Sequence, residues 1–232
     1  GPGQCLEHLV RKSSAISLQG KSMMKRHLQL IVCAATMLAV NPISALEFSD
    51  IANEGEIKYL KTRPDPGAYS YESRVKISPE SLDSGIVTIA TCHRQLDPIR
   101  KVVIIFNENR IKKITVKSLE KMNSAEVKDN RVTLTDVERG ASICIDLESR
   151  ALDQLSQNEF KLNAGPLMRR YFDGYLPMTA TLRVDWPDHL LTVQKTNPVP
   201  QDGVQVYQGK DGVQLELTFS GKMTAQVFLR RQ

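Results

Sequence analysis

The sequence lacks the motifs that define the common enzyme classes. It has no Gly-x-Ser-x-Gly nucleophile turn, no phosphate-binding glycine loop, no dinucleotide fingerprint and no His-Glu-x-x-His zinc motif. The 232 residues include 4 histidines, and two of these, His8 and His27, precede residue 46. Catalysis would therefore have to rest on carboxylates, and we expect a protein that is not an enzyme and needs no cofactor.

Long apolar runs are also scarce, and the one that stands out predicts a leader. A basic head, Lys25–His27, precedes the apolar body Leu28–Val40. That body is too short to cross a bilayer core of about 30 Å as a helix rising about 1.5 Å per residue. The helix breaker Pro42 and the small residue Ala45 follow. This order predicts a signal peptide over residues 23–45 and a periplasmic or secreted protein.

Two further interpretations concern the residues around this leader. Residues 1–22 precede a plausible start methionine and read as an upstream extension or a cloning remnant. Cys33 would be the anchor of a lipoprotein, but bulky Val32 before it disfavours that alternative. No other stretch is apolar for long enough to predict a transmembrane segment.

Most of the net positive charge of the chain lies in residues 1–45, which include the predicted signal peptide. The whole sequence has a net charge of +5 and a pI near 9.0. Residues 1–45 hold five basic residues and one acid, which leaves 26 basic and 25 acidic residues in the remaining 187, a net charge of about +1. A nearly neutral chain gives no global support to phosphate-backbone binding, so we expect no nucleic-acid partner.

Only two cysteines follow the leader, Cys92 and Cys144. In an oxidising compartment they predict one disulfide, and two free thiols are the alternative. Cys144 shares a strand face with Ser142 and Asp146, away from the apolar Ile143. We therefore expect a bridge between neighbouring strands on an outer face. His93 points to the other side of its strand from Cys92, so adjacency in sequence makes no catalytic pair.

Alternating apolar and polar residues between turn signals predict an all-β, mainly antiparallel protein of β-sandwich type. Met178–Trp186 is the clearest strand, and Asp211-Gly212 indicates a hairpin. Ser78-Pro79 predicts one short helical turn, and we expect one or two such turns in all. Residues 46–164 form an N-terminal β region and residues 165–232 a C-terminal one. The second region is either a separate subdomain or part of one continuous sandwich.

Two segments between these strands have more specific predictions. Val102–Phe106 is apolar at every position, which predicts a central strand covered on both faces. His93–Pro98 is interpreted as a loop.

A binding site is predicted in an irregular, arginine- and tyrosine-rich segment. Guanidinium groups beside aromatic rings suit the recognition of an anion, a glycan or a partner protein. The alternative is a connecting segment with no binding role, whose charged side chains are solvated. The candidate binding residues are Arg169, Arg170, Tyr171, Asp173 and Tyr175.

A weaker metal or acid–base site is predicted at Asp185, Asp188 and His189. Two carboxylates and an imidazole at a strand end could hold a divalent cation or transfer a proton. Only three ligands are present, however, and Asp-rich turns are common for backbone reasons alone.

Residues 94–121 carry eight basic side chains against three acids. This region could contact anionic lipid peripherally, and lysines that guard a sheet edge are an equally good interpretation.

Together these patterns predict an exported, non-catalytic binding or assembly module of the bacterial cell envelope with a protein or glycan partner. The alternative is a carboxylate- or metal-dependent hydrolase that acts on an envelope polymer.

The leader makes the first testable prediction. The exported protein should begin at Leu46, because signal cleavage follows the small residue Ala45. Intact mass spectrometry should show this species, and a thiol-alkylating reagent should add two adducts only after reduction. Recovery of a full-length species with its leader from the cytoplasm would contradict both expectations.

Overall fold

A computed structural model describes residues 51–52, 56–64, 66–171 and 174–232, and only the backbone of Tyr171. The upstream segment 1–22 and the predicted signal peptide 23–45 lie outside the described residues. Strands make up 65% of the described residues and helix 3%, which confirms the all-β, mainly antiparallel prediction. Among the described residues, no helix is long and apolar enough to cross a membrane.

An eight-stranded sheet is the largest element of the structure. All its neighbouring strands are antiparallel except one parallel pair, which joins Ser70–Lys76 to Met178–Asp185. The order across the sheet is β1 (Ile57–Tyr59), β16 (Gly212–Gly221), β13 (Met178–Asp185), β2 (Ser70–Lys76), β3 (Val87–Leu96), β8 (Ala141–Ser149) and β5 (Ile111–Glu120), and β15 (Val204–Gln208) also pairs with β16.

The remaining described strands form three smaller sheets. One has the order β14 (Leu191–Asn197), β17 (Met223–Arg231), β10 (Glu159–Leu167) and β9 (Leu152–Gln154). Another has the order β4 (Ile99–Ile105), β7 (Arg131–Val137) and β6 (Ser124–Lys128). The third pairs β11 (Arg170–Tyr171) with β12 (Gly174–Tyr175).

One short helix, α1 (Pro79–Ser84), confirms the helical turn predicted at Ser78-Pro79. The backbone N–H of Ser78 donates to Ser81 Oγ at 3.0 Å, and proline occupies the first helical position. Gly85 ends the helix with a φ of 72°, a left-handed conformation that glycine adopts without steric cost.

The first hydrophobic core lies between the β16–β13–β2 half of the large sheet and the four-stranded sheet. Leu182 of β13 lies opposite Leu215 of β16 in register. From the covering sheet, Phe160 of β10 lies opposite Leu229 of β17. All four side chains are buried. Each such burial stabilises the fold by about 1.5–3 kcal/mol, so this layer holds the two sheets together.

A second hydrophobic core lies between the β8–β5 end of the large sheet and the three-stranded sheet. Ile143 and Ile145 of β8 pack with Val132 and Leu134 of β7, and all four are fully buried. Sequence alternation along β8 and β7 produces this arrangement, because every second residue points to the same face.

The disulfide joins directly opposite residues of β3 and β8, Cys92 and Cys144. Their Cα atoms are 4.1 Å apart. Both cysteines lie on the face opposite to buried Thr91, His93 and Ile145. The prediction of a bridge between neighbouring strands on an outer face is therefore confirmed.

Two local predictions from the sequence are wrong. The apolar run Val102–Phe106 is no central strand, because most of it belongs to β4 at one edge of the three-stranded sheet. Only the side chains on its inner face, such as Ile104, pack against the second hydrophobic core. This burial is enough to keep the strand in the sheet. Residues 93–96, expected in a loop, continue β3 because they pair with β2 and β8.

The expected boundary at residue 165 falls inside β10, which runs from Glu159 to Leu167. Strands from both sides of this point pair in the same sheet, since β2 lies beside β13 over seven residues.

Removing the disulfide should lower the free energy of unfolding. The bridge closes a loop with a sequence separation of 52, which the chain-entropy model values at about 4 kcal/mol. We expect urea denaturation of the Cys92→Ser, Cys144→Ser double variant to show a loss of up to this size. Reductant should reproduce the loss in the wild type and leave the double variant unchanged. Equal midpoints for the oxidised wild type and the double variant would contradict the prediction.

Candidate functional site

The structure places Arg169 in an ion pair within the molecule. Its Nε donates to Asp97 Oδ2 at 2.9 Å, its Nη2 donates to the other carboxylate oxygen, and its Nη1 donates to the carbonyl oxygen of Pro177 at 3.0 Å. The two parallel bonds to one carboxylate give this pair a fixed geometry. Arg169 therefore ties the segment after β10 to the connection between β3 and β4.

The other residues of the predicted binding segment differ in exposure. Arg170 is exposed, and its guanidinium carbon lies 5.8 Å from the ring centroid of Tyr175. The Tyr175 ring is itself buried, so only the guanidinium is available to a partner. The backbone of Tyr171 pairs with Gly174, and Asp173 lies outside the described residues. The structure thus brings Arg170 and Tyr175 together and assigns Arg169 to an internal contact.

Two arginines donate hydrogen bonds to the carboxylate of Asp185. Arg183 Nε donates to Oδ1 at 2.9 Å, and Arg74 Nε donates to Oδ2. Burial acts to raise the pKa of Asp185, but the hydrogen bonds and charges of the two arginines outweigh it and lower the pKa.

Asp188 and His189 form a separate, exposed pair in the following turn. Lys210 Nζ donates to Asp188 Oδ2 at 3.1 Å, and His189 Nε2 lies 3.6 Å from the same oxygen. Within the described ranges, no group of three His, Cys, Asp or Glu side chains could hold a metal ion. The metal hypothesis for these residues thus gains no structural support.

An open cleft of about 460 Å³ lies beside this turn. Its walls include Arg74, Lys76, Thr88 and Trp186. The indole Nε1 of Trp186 is buried without a partner among the described residues, and Arg74 is engaged by Asp185. The cleft is also lined by Ser78, Ser81 and Asp185, whose side chains already form hydrogen bonds within the molecule.

A buried polar cluster lies on β3, where the two hydrophobic cores meet. Ser73 lies opposite Thr91, and Tyr71 lies opposite His93, so all four side chains share the inner face. The hydroxyl of Thr91 donates to the carbonyl oxygen of Ile145 at 2.8 Å. This strand separates the cores, because Val87 packs in the first and Leu96 in the second.

His93 is held neutral in this cluster. It is 6% exposed, and burial lowers its pKa to about 4. The hydroxyl of Tyr69 lies 2.7 Å from His93 Nδ1, and burial raises the pKa of that tyrosine. Burial also raises the pKa of Tyr71 to about 12. His93 Nε2 is buried with no partner in the described structure, so the cluster is shielded from solvent and offers no accessible base.

Sequence reasoning missed this cluster because His93 was assigned to a loop. The signal was present in the alternation of β3. Extending the strand by one residue beyond Cys92 places His93 on the same buried face as Thr91 and Ile89.

The basic region 94–121 does not form a single patch. Three of its eight basic side chains pair with acids on neighbouring strands, at distances of 3.3 to 3.8 Å. These pairs are Arg94–Glu72, Lys113–Glu148 and Lys117–Asp146. Other members, Arg100 and Lys101, lie on a different sheet, in β4. Contact with anionic lipid stays a prediction.

The edge strand β4 exposes several large apolar side chains. Ile99 is 37% exposed, Val103 41% and Ile105 62%. Their alternation with half-buried Val102 and Ile104 shows that the strand buries one face and leaves the other in water. Exposed apolar patches of this kind mark contact surfaces more often than scattered single residues do.

The chain matches no known family model and no curated protein. Among solved structures, an M1 zinc metallopeptidase from Deinococcus radiodurans matches 77% of this chain and 43% of its own, with 9% identity and a TM-score of 0.34. A substituted form bound to a Tyr-Ser-Ala substrate matches 75% of this chain and 42% of its own, with 9% identity and a TM-score of 0.36. The chain thus spans less than half of these proteins, and similarity at this level identifies neither a family nor an activity.

His93 predicts a pH dependence of stability. In the unfolded chain the imidazole takes up a proton near its ordinary pKa of 6.5, whereas in the folded protein it stays neutral down to about pH 4. The unfolded state then binds more protons, so stability falls as the pH drops through this window. We expect the free energy of unfolding to decrease by about 2 kcal/mol between pH 7.5 and pH 5.

Urea denaturation at several pH values tests this dependence. The His93→Gln variant should lose the decrease, and the matched His189→Gln variant should keep it because His189 is exposed. Parallel pH profiles for the wild type and His93→Gln would show that another group is responsible.

Proposed function

We propose that this chain is a non-catalytic binding module of the bacterial cell envelope, and that it recognises a protein partner through β4. The observation that carries the proposal is the exposure of Ile99, Val103 and Ile105 on one edge strand. A partner that covered these side chains would remove apolar surface from water, which is the main favourable term in protein association.

Two features support a location outside the cytoplasm. The order of residues 23–45 is typical of a cleaved signal peptide. The Cys92–Cys144 disulfide is stable in an oxidising compartment such as the periplasm and rare in a reducing cytosol. The leader and the bridge are independent features of the chain, and both favour export.

The predicted arginine–tyrosine segment is linked to the start of β4 by one ion pair. Arg169 forms an ion pair with Asp97. Asp97 lies two residues before Ile99, the first residue of β4. The exposed Arg170 follows directly in the chain. Arginine is enriched at protein interfaces, so we propose the exposed Arg170 as a second, charged contact. Arg169 would act by fixing the start of β4.

A protein partner fits this surface better than a glycan does. The exposed side chains of β4 are aliphatic or basic, and the strand contains no aromatic residue. Aliphatic side chains contribute to binding by burial against other apolar groups, which a partner protein supplies readily.

A single substitution at the most exposed residue tests the function. Ile105→Lys should weaken capture of the partner from a cross-linked envelope extract roughly tenfold, because it places a charge in the apolar contact. Val199→Lys is the matched control, since Val199 is 59% exposed and lies outside the three-stranded sheet. Equal recovery of the same partner with both variants and the wild type would argue against this surface.

A further inference from the structure

The free side of β4 carries a row of backbone groups that have no partner among the described residues. Among the described strands, β4 pairs with β7 alone. No hydrogen bond within the described structure reaches the backbone of residues 99–105 from the other side. An edge strand in this state is a template on which another extended chain can pair.

The hydrogen-bond pattern identifies which residues face the free side. The N–H of Phe106 donates to the carbonyl oxygen of Asn130 at 2.9 Å, and the side chain of Asn130 donates back to the carbonyl oxygen of Phe106. Antiparallel ladders alternate between hydrogen-bonded and non-hydrogen-bonded pairs. Continuing the register between β4 and β7 therefore directs the backbone groups of Ile105, Val103 and Lys101 away from β7.

The same three residues are exposed on the outer face of the sheet. Their neighbours on β7 are Arg131, Thr133 and Thr135, in register. A strand that paired with residues 101–105 would therefore meet two apolar side chains and one lysine along one of its faces. An antiparallel strand would meet them in the order Ile105, Val103, Lys101.

The charge around this edge favours an acidic partner. β4 contains Arg100 and Lys101 and no acid. Neither side chain has an ion-pair partner among the described residues, so both charges are available. The three strands of the sheet carry four basic residues and two acidic ones: Arg100, Lys101, Lys128 and Arg131 against Glu126 and Asp136.

A second copy of the chain fits this edge less well. In a symmetric antiparallel pair centred on Val103, each Lys101 would lie opposite Ile105 of the other copy. A pair centred on Lys101 would place the two lysines opposite each other, and like charges in that position are destabilising. An acidic residue of a partner opposite Lys101 would avoid both the lysine–isoleucine pair and the repulsion between two lysines.

We propose that β4 binds an extended segment of a partner protein as an added antiparallel strand. The segment has an apolar residue opposite Ile105, another opposite Val103 and a glutamate or aspartate opposite Lys101, in the order apolar-x-apolar-x-acidic. This inference rests on the proposed function and specifies its binding mode. Main-chain hydrogen bonds supply affinity in such complexes, and the alternate side chains supply specificity.

A proline substitution isolates the backbone contribution. Val103→Pro removes an N–H that faces the free side, and an edge position tolerates proline because the ladder to β7 stays intact. The probe is the fluorescent peptide Ser-Val-Thr-Val-Thr-Glu-Ser, and fluorescence anisotropy measures its binding. We expect Val103→Pro to weaken binding roughly tenfold. Val103→Thr keeps the N–H and a similar shape, and should bind within roughly threefold of the wild type.

A charge exchange tests the acidic position independently of the proline. The wild type should prefer the glutamate peptide roughly fivefold over the same peptide with lysine in place of glutamate. Lys101→Glu should reverse this preference. Lys128→Glu, on the opposite edge strand β6, is the matched control. It should leave the preference for the glutamate peptide unchanged.

The outcomes separate this inference from the proposed function. If Val103→Pro, shown to be folded by its urea midpoint, binds like the wild type, or if Lys101→Glu keeps the original preference, strand addition of an acidic segment is wrong. The proposed function would still stand if Ile105→Lys lost its envelope partner. A dimer that Val103→Pro abolishes, together with no peptide binding, would assign the edge to a second copy and overturn the inference.

Discussion

The structure depends on one continuous inner face of the eight-stranded sheet. Cross-strand pairs carry this face from Leu215 on β16 through Leu182 and Ser73 to Thr91 and Ile145 on β8. The covering strands divide between two separate sheets, each with its own core. Apolar side chains lie at both ends of this face, and each end must be shielded from water. Each end therefore has its own covering sheet.

The boundary between the two covers explains the position of the polar cluster. On β3 the inner face changes from apolar to polar at Thr91 and His93, between two cores of apolar side chains. The hydrogen bonds of Thr91 to Ile145 and of Tyr69 with His93 offset part of the cost of this burial. A neutral histidine suits such a position, because a charged one would need a partner that the cluster does not supply.

The same division of the cover creates the candidate binding surface. A three-stranded sheet has two edges; β6 runs close to β5, while the free side of β4 has no strand beside it among the described residues. Proteins commonly protect such an edge with charges, and Lys101 supplies one on this strand. The ion pair between Arg169 and Asp97 fixes the chain just before this strand. This ion pair therefore lies directly beside the strand for which we propose a binding role.

The sequence by itself determined the strand content, the helical turn at Ser78-Pro79, the hairpin at Asp211-Gly212 and the outer-face bridge between Cys92 and Cys144. The strands and turns follow from local periodicity and turn chemistry, and the bridge follows from the two remaining cysteines and the outer face on which alternation places Cys144. Tertiary structure decided that Val102–Phe106 lies at an edge, that His93 is buried and that Arg169 pairs with Asp97, 72 residues away. Each of these depends on which strand lies beside which, and periodicity along one strand carries no information about its partners.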